Sequence, residues 1–172
     1  MITETEIKIL NVDREKIRKT LIDNGAVFVK DVFQRNTLYE NEHTKKEKIA
    51  VRLREEDDNC TFTVKGPTII EHNHKKRKEY ETNFPSFEFG NEVLTLQGFK
   101  VIGVGEAKRE YYKLSDCSVE IIEMPNIPIF IEIEGTEENI LRVANILGYT
   151  EKDYDARNVI EIYKPETNFL RF

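Results

Sequence analysis

Polar and apolar side chains alternate along much of this chain, and the alternation is clearest near its two ends. Glu4, Glu6 and Lys8 are separated by single residues, as are Glu132 and Glu134, and isoleucines stand among them. Successive side chains of a strand point to opposite faces, so each set of charges occupies one face. Two closely spaced carboxylates repel each other unless a positive group lies between them. The two pairs therefore predict strands whose carboxylates face a charged interior and form a site for a divalent metal there.

The same periodicity, followed along the whole chain, predicts many strands and few helices. Apolar residues at helical spacing, such as Ile17 and Leu21, mark the helices, and Gly25, Gly98 and Gly148 end them. Residues 41–47 are predicted to be a polar connection within a hairpin. Strands are predicted over 2–10, 32–40, 48–56, 60–65, 75–83, 100–104, 107–114, 117–123 and 129–134, and helices over 12–24, 86–98 and 136–147, with a further short helix after residue 153.

One face of nearly every predicted strand is ionic, with charges of both signs. Arg52 and Arg54, for example, alternate with Val51 and Leu53. An open antiparallel sheet with one solvated face would explain this pattern. The pattern favours the alternative, an α+β single-domain closed antiparallel barrel of about eight strands. Such a barrel can enclose one small ligand. Its ionic faces would line a tunnel, and its apolar faces would be covered by helices packed outside.

Length and charge narrow the functional classes. The chain has 172 residues and a net charge of -6, which fits one domain with a substantial core, spanning 1–172. The acidic balance argues against nucleic acid as a partner, because non-specific binding to nucleic acid needs a basic surface. No apolar run has membrane-spanning length, and Glu4 and Glu6 stand where a signal peptide would need apolar residues. With Cys60 and Cys117 interpreted as reduced thiols, we expect a cytoplasmic protein without a membrane partner.

Five short motifs follow one another along the chain. They are E-x-E-x-K at Glu4, Glu6 and Lys8, R-x-R at Arg52 and Arg54, T-x-K-G-P at Thr63, Lys65, Gly66 and Pro67, R-x-E-x-E at Arg77, Glu79 and Glu81, and E-I-E at Glu132, Ile133 and Glu134. Each motif alone is weak, but together they span most of the chain. In this order they resemble the motifs of the CYTH superfamily, the triphosphate tunnel metalloenzymes, whose members include class IV adenylyl cyclases, thiamine triphosphatases and inorganic tripolyphosphatases.

Four positions depart from the patterns of that superfamily. Asn36 stands in place of an acid and Leu38 in place of a tyrosine in the Q-x-D-x-Y segment. Ile122 stands where an aspartate precedes the E-I-E strand, and Ala107 takes the lysine place two residues before Arg109. These changes bear on substrate selectivity and on one flank of the site.

The resemblance implies a site for a triphosphate and for Mg²⁺ or Mn²⁺. Arginines and lysines neutralise phosphate oxygens, whereas carboxylates in the same cavity hold a hard cation. Among these residues, Glu4, Glu6, Lys8, Arg52 and Arg54 are predicted to be catalytic. The substrate-binding set is Lys8, Arg52, Arg54, Lys65, Arg77 and Arg109. The metal ligands are Glu4, Glu6, Glu132 and Glu134, with Glu79 and Glu81 as second-line candidates.

Several functions remain open from the sequence. Hydrolysis of a small-molecule triphosphate (inorganic tripolyphosphate, thiamine triphosphate or a nucleoside triphosphate) is preferred because Asn36 and Ile122 replace acids. A class IV adenylyl cyclase, converting ATP to cyclic AMP and pyrophosphate, is the alternative. A polyphosphate- or nucleotide-binding module without turnover is the third reading, and an RNA 5′-triphosphatase is little favoured by the net charge. The sequence leaves open whether the protein is a monomer or a homodimer.

Overall fold

The computed structural model describes residues 2–71, 74–163 and 169–172, and for residues 2–4, 160, 163 and 169 it describes the backbone only. The strands are β1 (Ile2–Ile9), β2 (Val27–Glu40), β3 (Ala50–Glu56), β4 (Asn59–Lys65), β5 (Ile69–Glu71), β6 (His74–Phe84), β7 (Lys100–Leu114), β8 (Cys117–Met124), β9 (Ile127–Glu134), β10 (Tyr154–Asp155) and β11 (Phe169–Leu170). The helices are α1 (Arg14–Asp23), α2 (Glu42–Lys46), α3 (Phe87–Leu96), α4 (Glu137–Ile146) and α5 (Val159–Tyr163), with a 3₁₀ turn at Glu151–Asp153.

Eight of these strands close into an antiparallel barrel. Their order is β1-β9-β8-β7-β2-β3-β4-β6, and β6 pairs back onto β1. The remaining described strands extend this wall, because β5 pairs with β6, β10 with β1, and β11 runs parallel to β7. The closed barrel predicted from the alternating charges is therefore confirmed.

Strand register places the isoleucines on the outer wall and the charges inside. Lys8 lies opposite Glu132, and Ile7 lies opposite Ile133 on the other face of the same strand pair. Both isoleucines are fully buried in the principal apolar core. Because adjacent residues alternate faces, burying Ile7 outside directs Lys8 into the tunnel.

Helices α1 and α4 cover that outer wall. Asp13 caps α1 by accepting a hydrogen bond from the Lys16 backbone N–H, and Thr136 caps α4 in the same way. Each helix then buries one apolar stripe, which includes Ile17 in α1 and Ile140 in α4. Both residues pack into the same core as the barrel isoleucines. The helices thus stabilise the side of the barrel whose inner face carries the Lys8–Glu132 pair.

Three predicted boundaries were wrong. The two strands predicted over 100–104 and 107–114 are the single strand β7, which passes through Gly103 and Gly105. Its pairing with β2 skips Ile102, so an irregularity, rather than a turn, accommodates the glycines. The strand predicted over 32–40 starts earlier, at Val27, and the polar connection over 41–47 contains α2.

The last part of the chain is more complex than the single short helix predicted after residue 153. It holds the 3₁₀ turn, β10, α5 and β11. Both cysteines are free and buried, as expected for reduced thiols. None of the helices within the described residues is long and apolar enough to cross a membrane.

Candidate active site in the barrel tunnel

The inward-facing side chains of the barrel enclose an ionic cavity of about 330 Å³. We call this cavity the ionic chamber. Charged groups of both signs line it, and they come from every strand of the barrel except β2. Its described basic residues are Lys8, Arg52, Arg54, Lys65, Lys75, Arg77 and Arg109, and its described acidic residues are Glu6, Glu79, Glu81, Glu120, Glu132 and Glu134.

Nearly all of the residues proposed from the sequence lie in this chamber. Eleven of the twelve line it, and the twelfth, Glu4, is described only by its backbone, which pairs with Arg77 of β6. Sequence reasoning missed Lys75, Glu120 and Tyr111. Period two would have found the first of these, because Lys75 stands two residues before Arg77 on the same strand face.

One wall of the chamber is a connected network of acids and bases. The Lys8 Nζ lies 3.0 Å from the Glu132 carboxylate, and the Arg109 guanidinium lies 3.2 Å from the same carboxylate. Arg109 also donates to Glu120, which is opposite Glu132 in the pairing of β8 and β9. Although burial opposes it, the attraction of Lys8 and Arg109 holds the pKa of Glu132 below its ordinary value. Burial raises the pKa of Glu120, and repulsion from Glu132 adds to this rise.

Other acids on the chamber wall also have a lysine partner. Glu6 accepts a hydrogen bond of 2.6 Å from Lys75, and the two residues face each other across β1 and β6. Glu79 lies 2.5 Å from Lys65 and 3.8 Å from Arg52. The sequence predicted Glu79 to be a second-line metal ligand, whereas in the structure it is a counter-ion of Lys65 and Arg52.

The arginines of the chamber are incompletely neutralised. Within the described part of the chain, Arg54 and Arg77 form no ion pair, and the buried Nε atoms of Arg52, Arg77 and Arg109 have no hydrogen-bond partner. Burial, together with repulsion from Arg54 and Arg109, lowers the pKa of Arg52 to about 9. Buried donors without acceptors are costly, so this wall is suited to a polyanion.

Tyr111 is held at the chamber wall by a glutamine from β2. Gln34 is fully buried, and its Nε2 donates to the Tyr111 hydroxyl at 2.8 Å and to the Glu56 carboxylate at 2.5 Å. Since the hydroxyl accepts this bond, its own proton is available to another acceptor. Its neighbour Tyr112 is on the other face of β7, where it donates to Glu110.

The carboxylates of the chamber have the oxygen ligands that a hard divalent cation requires, although they do not converge on one point. Glu6 lies opposite Glu134 across β1 and β9, and Glu132 is two residues from Glu134 on the same face. Carboxylate oxygens are the ligands that Mg²⁺ and Mn²⁺ prefer. Among the described side chains, however, no three acidic, histidine or cysteine groups form a ready-made metal cluster. Lys75 and Lys8 occupy the carboxylates of Glu6 and Glu132.

Comparisons with known proteins identify relatives across nearly the whole chain. The family model of the CYTH domain matches residues 3–158. A protein of Methanocaldococcus jannaschii named "Putative adenylate cyclase" is 29% identical over 163 residues, which cover 94% of this chain and 87% of that protein.

Solved structures agree on the fold. A conserved hypothetical protein of Pyrococcus furiosus has a TM-score of 0.79 at 28% identity, and the match covers 92% of this chain and 98% of that one. A Hippeastrum protein, an adenylyl cyclase by name with a dominant triphosphatase activity, has a TM-score of 0.69 at 18% identity, over 94% of this chain and 95% of that one. The second likeness bears on the fold alone.

Proposed function

The chain belongs to the CYTH domain family, and we propose that it is a divalent-metal-dependent triphosphatase that acts on a small-molecule triphosphate inside the barrel. One observation carries the proposal. Among the described residues of the chamber, Arg54 and Arg77 have no counter-ion, and the pKa of a third arginine, Arg52, is lowered by burial and by its basic neighbours. A triphosphate supplies several adjacent negative charges, and guanidinium groups bind phosphate oxygens in bidentate fashion. The basic wall would therefore bind and orient the phosphate chain.

The carboxylates have a separate task in this proposal. Glu6, Glu132 and Glu134, with Glu4 by its position on β1, would hold Mg²⁺ or Mn²⁺ once the substrate draws the lysines toward its phosphates. When bound, the cation supplies neutralisation of phosphate charge and activation of water. Lys8 and Lys75, released from Glu132 and Glu6, would then be free to contact phosphate oxygens.

The reaction requires little covalent chemistry from the protein. A water oxygen forms a new bond to the terminal phosphorus, the bridging P–O bond breaks, and the proton of the water leaves with the phosphate products. Phosphoryl transfer is catalysed mainly by positioning and by charge stabilisation. Arg52, Arg54 and Arg77 would fix the chain of phosphates, and the closed wall would limit the access of bulk water.

A class IV adenylyl cyclase is the second candidate, because the Methanocaldococcus jannaschii relative carries that name. In this reaction the ribose 3′-hydroxyl attacks the α-phosphorus and pyrophosphate leaves. The same basic wall would serve both reactions, so the nucleophile is the point of difference.

A product assay separates these candidates. Purified protein is incubated with tripolyphosphate, thiamine triphosphate or ATP, each with Mg²⁺ and with Mn²⁺, and orthophosphate and cyclic AMP are both measured. Glu134→Gln protein, prepared in parallel, controls for contaminating phosphatases. Orthophosphate without cyclic AMP is the expected result. Cyclic AMP with pyrophosphate would replace the proposal by the cyclase, and tight binding without any product would replace it by a non-catalytic binding module.

A further inference from the structure

The hydrogen bond between Gln34 and Tyr111 has a direction that is set by a third residue, Glu56. The amide nitrogen of Gln34 uses both of its hydrogens, one toward the Tyr111 hydroxyl at 2.8 Å and one toward the Glu56 carboxylate at 2.5 Å. Gln34 and Glu56 face each other across β2 and β3. An ionised carboxylate can only accept hydrogen bonds, so Nε2 rather than Oε1 must face it. The same nitrogen then faces the tyrosine, whose oxygen must accept.

Lys30 keeps Glu56 ionised. Its ammonium group donates to the Glu56 carboxylate and lies 5.1 Å from the centre of the Tyr111 ring. Although burial opposes it, the hydrogen bonds from Lys30 and Gln34 hold the pKa of Glu56 below its ordinary value. Glu56 is therefore an acceptor at neutral pH, and the direction of every bond in this series is fixed.

The arrangement leaves the other end of the Gln34 amide without a partner. Gln34 is fully buried, and within the described part of the chain its Oε1 accepts no hydrogen bond. A buried acceptor without a donor is costly. The series thus gives up one hydrogen bond of the amide and keeps both amide hydrogens directed at Glu56 and Tyr111.

The proton of the Tyr111 hydroxyl is left for the ionic chamber. Among the described residues, none accepts it. Glu120 lies opposite Tyr111 across β7 and β8, but its carboxylate accepts from Arg109 instead. Burial raises the pKa of Tyr111 and the charge of Glu120 adds to this rise, so the phenol is neutral and remains a donor. Its cationic neighbours in the chamber are Arg109 and Arg54, and an anion beside them would be within its surroundings.

We propose that Tyr111 donates a hydrogen bond to a phosphate oxygen of the bound triphosphate. Lys30, Glu56 and Gln34 are positioning residues, which make the phenol oxygen an acceptor toward the wall and a donor toward the chamber. The inference rests on the proposed function, because it assumes that the ionic chamber holds the triphosphate. It adds a neutral donor to the charged groups of the basic wall.

Glu56→Gln tests the direction of the bond. The oxygen of the new amide would face Lys30 and its nitrogen would face Gln34. Gln34 would then turn over, and Tyr111 would donate to Gln34 rather than to phosphate. We expect the Kd for tripolyphosphate, measured by calorimetry in EDTA, to rise by about 3–10-fold, as it should in Tyr111→Phe. Charge alone predicts the opposite sign, because removing an acid strengthens the binding of an anion.

A second substitution should reverse the effect. Lys30→Met in the Glu56→Gln protein frees the new amide to turn its oxygen toward Gln34, so the Kd should return to within about twofold of the native value. Loss of a cation would by charge alone weaken binding further. Tyr111→Phe should add nothing to Glu56→Gln. The matched control is Glu55→Gln, since Glu55 is on the outer face of β3 beside Arg35, and it should keep the native Kd.

The outcomes separate this inference from the proposed function. If Glu56→Gln binds tripolyphosphate as tightly as the native protein and both hydrolyse it, the inference is wrong and the triphosphatase stands. The expected changes in Kd without any hydrolysis would support the role of Tyr111 and reject the triphosphatase. If Glu56→Gln fails to fold, an unchanged Kd in Tyr111→Phe overturns the inference by itself. Native protein that does not bind tripolyphosphate would overturn both.

Discussion

Replacing Arg52 should stabilise the ligand-free protein while weakening its affinity for triphosphate. Burial and two neighbouring arginines lower the pKa of Arg52 to about 9, against an ordinary value of 12.5. Each step of one in pKa corresponds to about 1.4 kcal/mol, so holding this charge at pH 7 costs on the order of 5 kcal/mol as an upper bound. At that pH the arginine is charged in the folded and the unfolded chain, and the cost is present in full.

The net gain must be smaller than this bound, because Arg52 also has favourable contacts. It donates to the Thr63 hydroxyl at 3.2 Å and lies 3.8 Å from the Glu79 carboxylate. Each of these contacts is worth about 1 kcal/mol. We therefore expect Arg52→Gln to raise the free energy of unfolding by about 1–3 kcal/mol, which is roughly 3–8 °C in Tm for a domain of this size.

Thermal unfolding at pH 7 in EDTA, with and without tripolyphosphate, measures both effects. Ligand-free Arg52→Gln should melt at a higher temperature than the native protein, and added tripolyphosphate should raise its Tm less. Arg35→Gln is the matched control, because Arg35 is on the outer face of β2, half exposed, beside Glu106. The reasoning would be refuted if Arg52→Gln melted at a lower temperature than the native protein and tripolyphosphate raised its Tm by as much as it raises that of the native protein.

Three further substitutions test single roles. Glu134→Gln should lower turnover by at least about 100-fold and weaken Mn²⁺ binding measured by electron paramagnetic resonance; full activity with unchanged Mn²⁺ affinity would remove it from the ligand set. Arg54→Ala should raise KM for tripolyphosphate by about 10-fold or more, since it loses a charged hydrogen-bond donor, and unchanged KM and kcat would contradict its place at the substrate. Tyr111→Phe should lower kcat/KM by about 3–10-fold, whereas Tyr112→Phe, on the outer face, should leave the kinetics unchanged; equal effects of the two would show that Tyr111 acts only through stability.

Alternation along the strands predicted the barrel, and the family motifs identified most of the chamber residues. The burial of Ile7 and Ile133 on one face requires Lys8 and Glu132 to occupy the other. This argument is local, so it holds without knowledge of which strands are neighbours. It also explains why the charged faces point inward, since the helices supply apolar partners only for the outer wall.

Two of the missed residues, Glu120 and Tyr111, have roles that depend on strand pairing. Glu120 becomes important because β8 places it opposite Glu132 and beside Arg109, and neither contact is visible from its own strand. Tyr111 is two residues from Arg109 and shares its face, but the hydrogen bond from Gln34 that holds it at the wall comes from the neighbouring strand β2. Helix α2, by contrast, carried a signal that was overlooked, because Asn41 and Thr44 form a capping box.

The distribution of unpaired charge argues that the chamber is built for a ligand rather than for the stability of the barrel. Buried ions that serve stability alone are paired. The same wall could have given Arg54 and Arg77 carboxylate partners, yet among the described residues neither arginine has one. An anion that enters the chamber would supply the partner that the described residues do not. An empty barrel is then less stable than its packing permits, and that deficit is available as binding energy for a triphosphate.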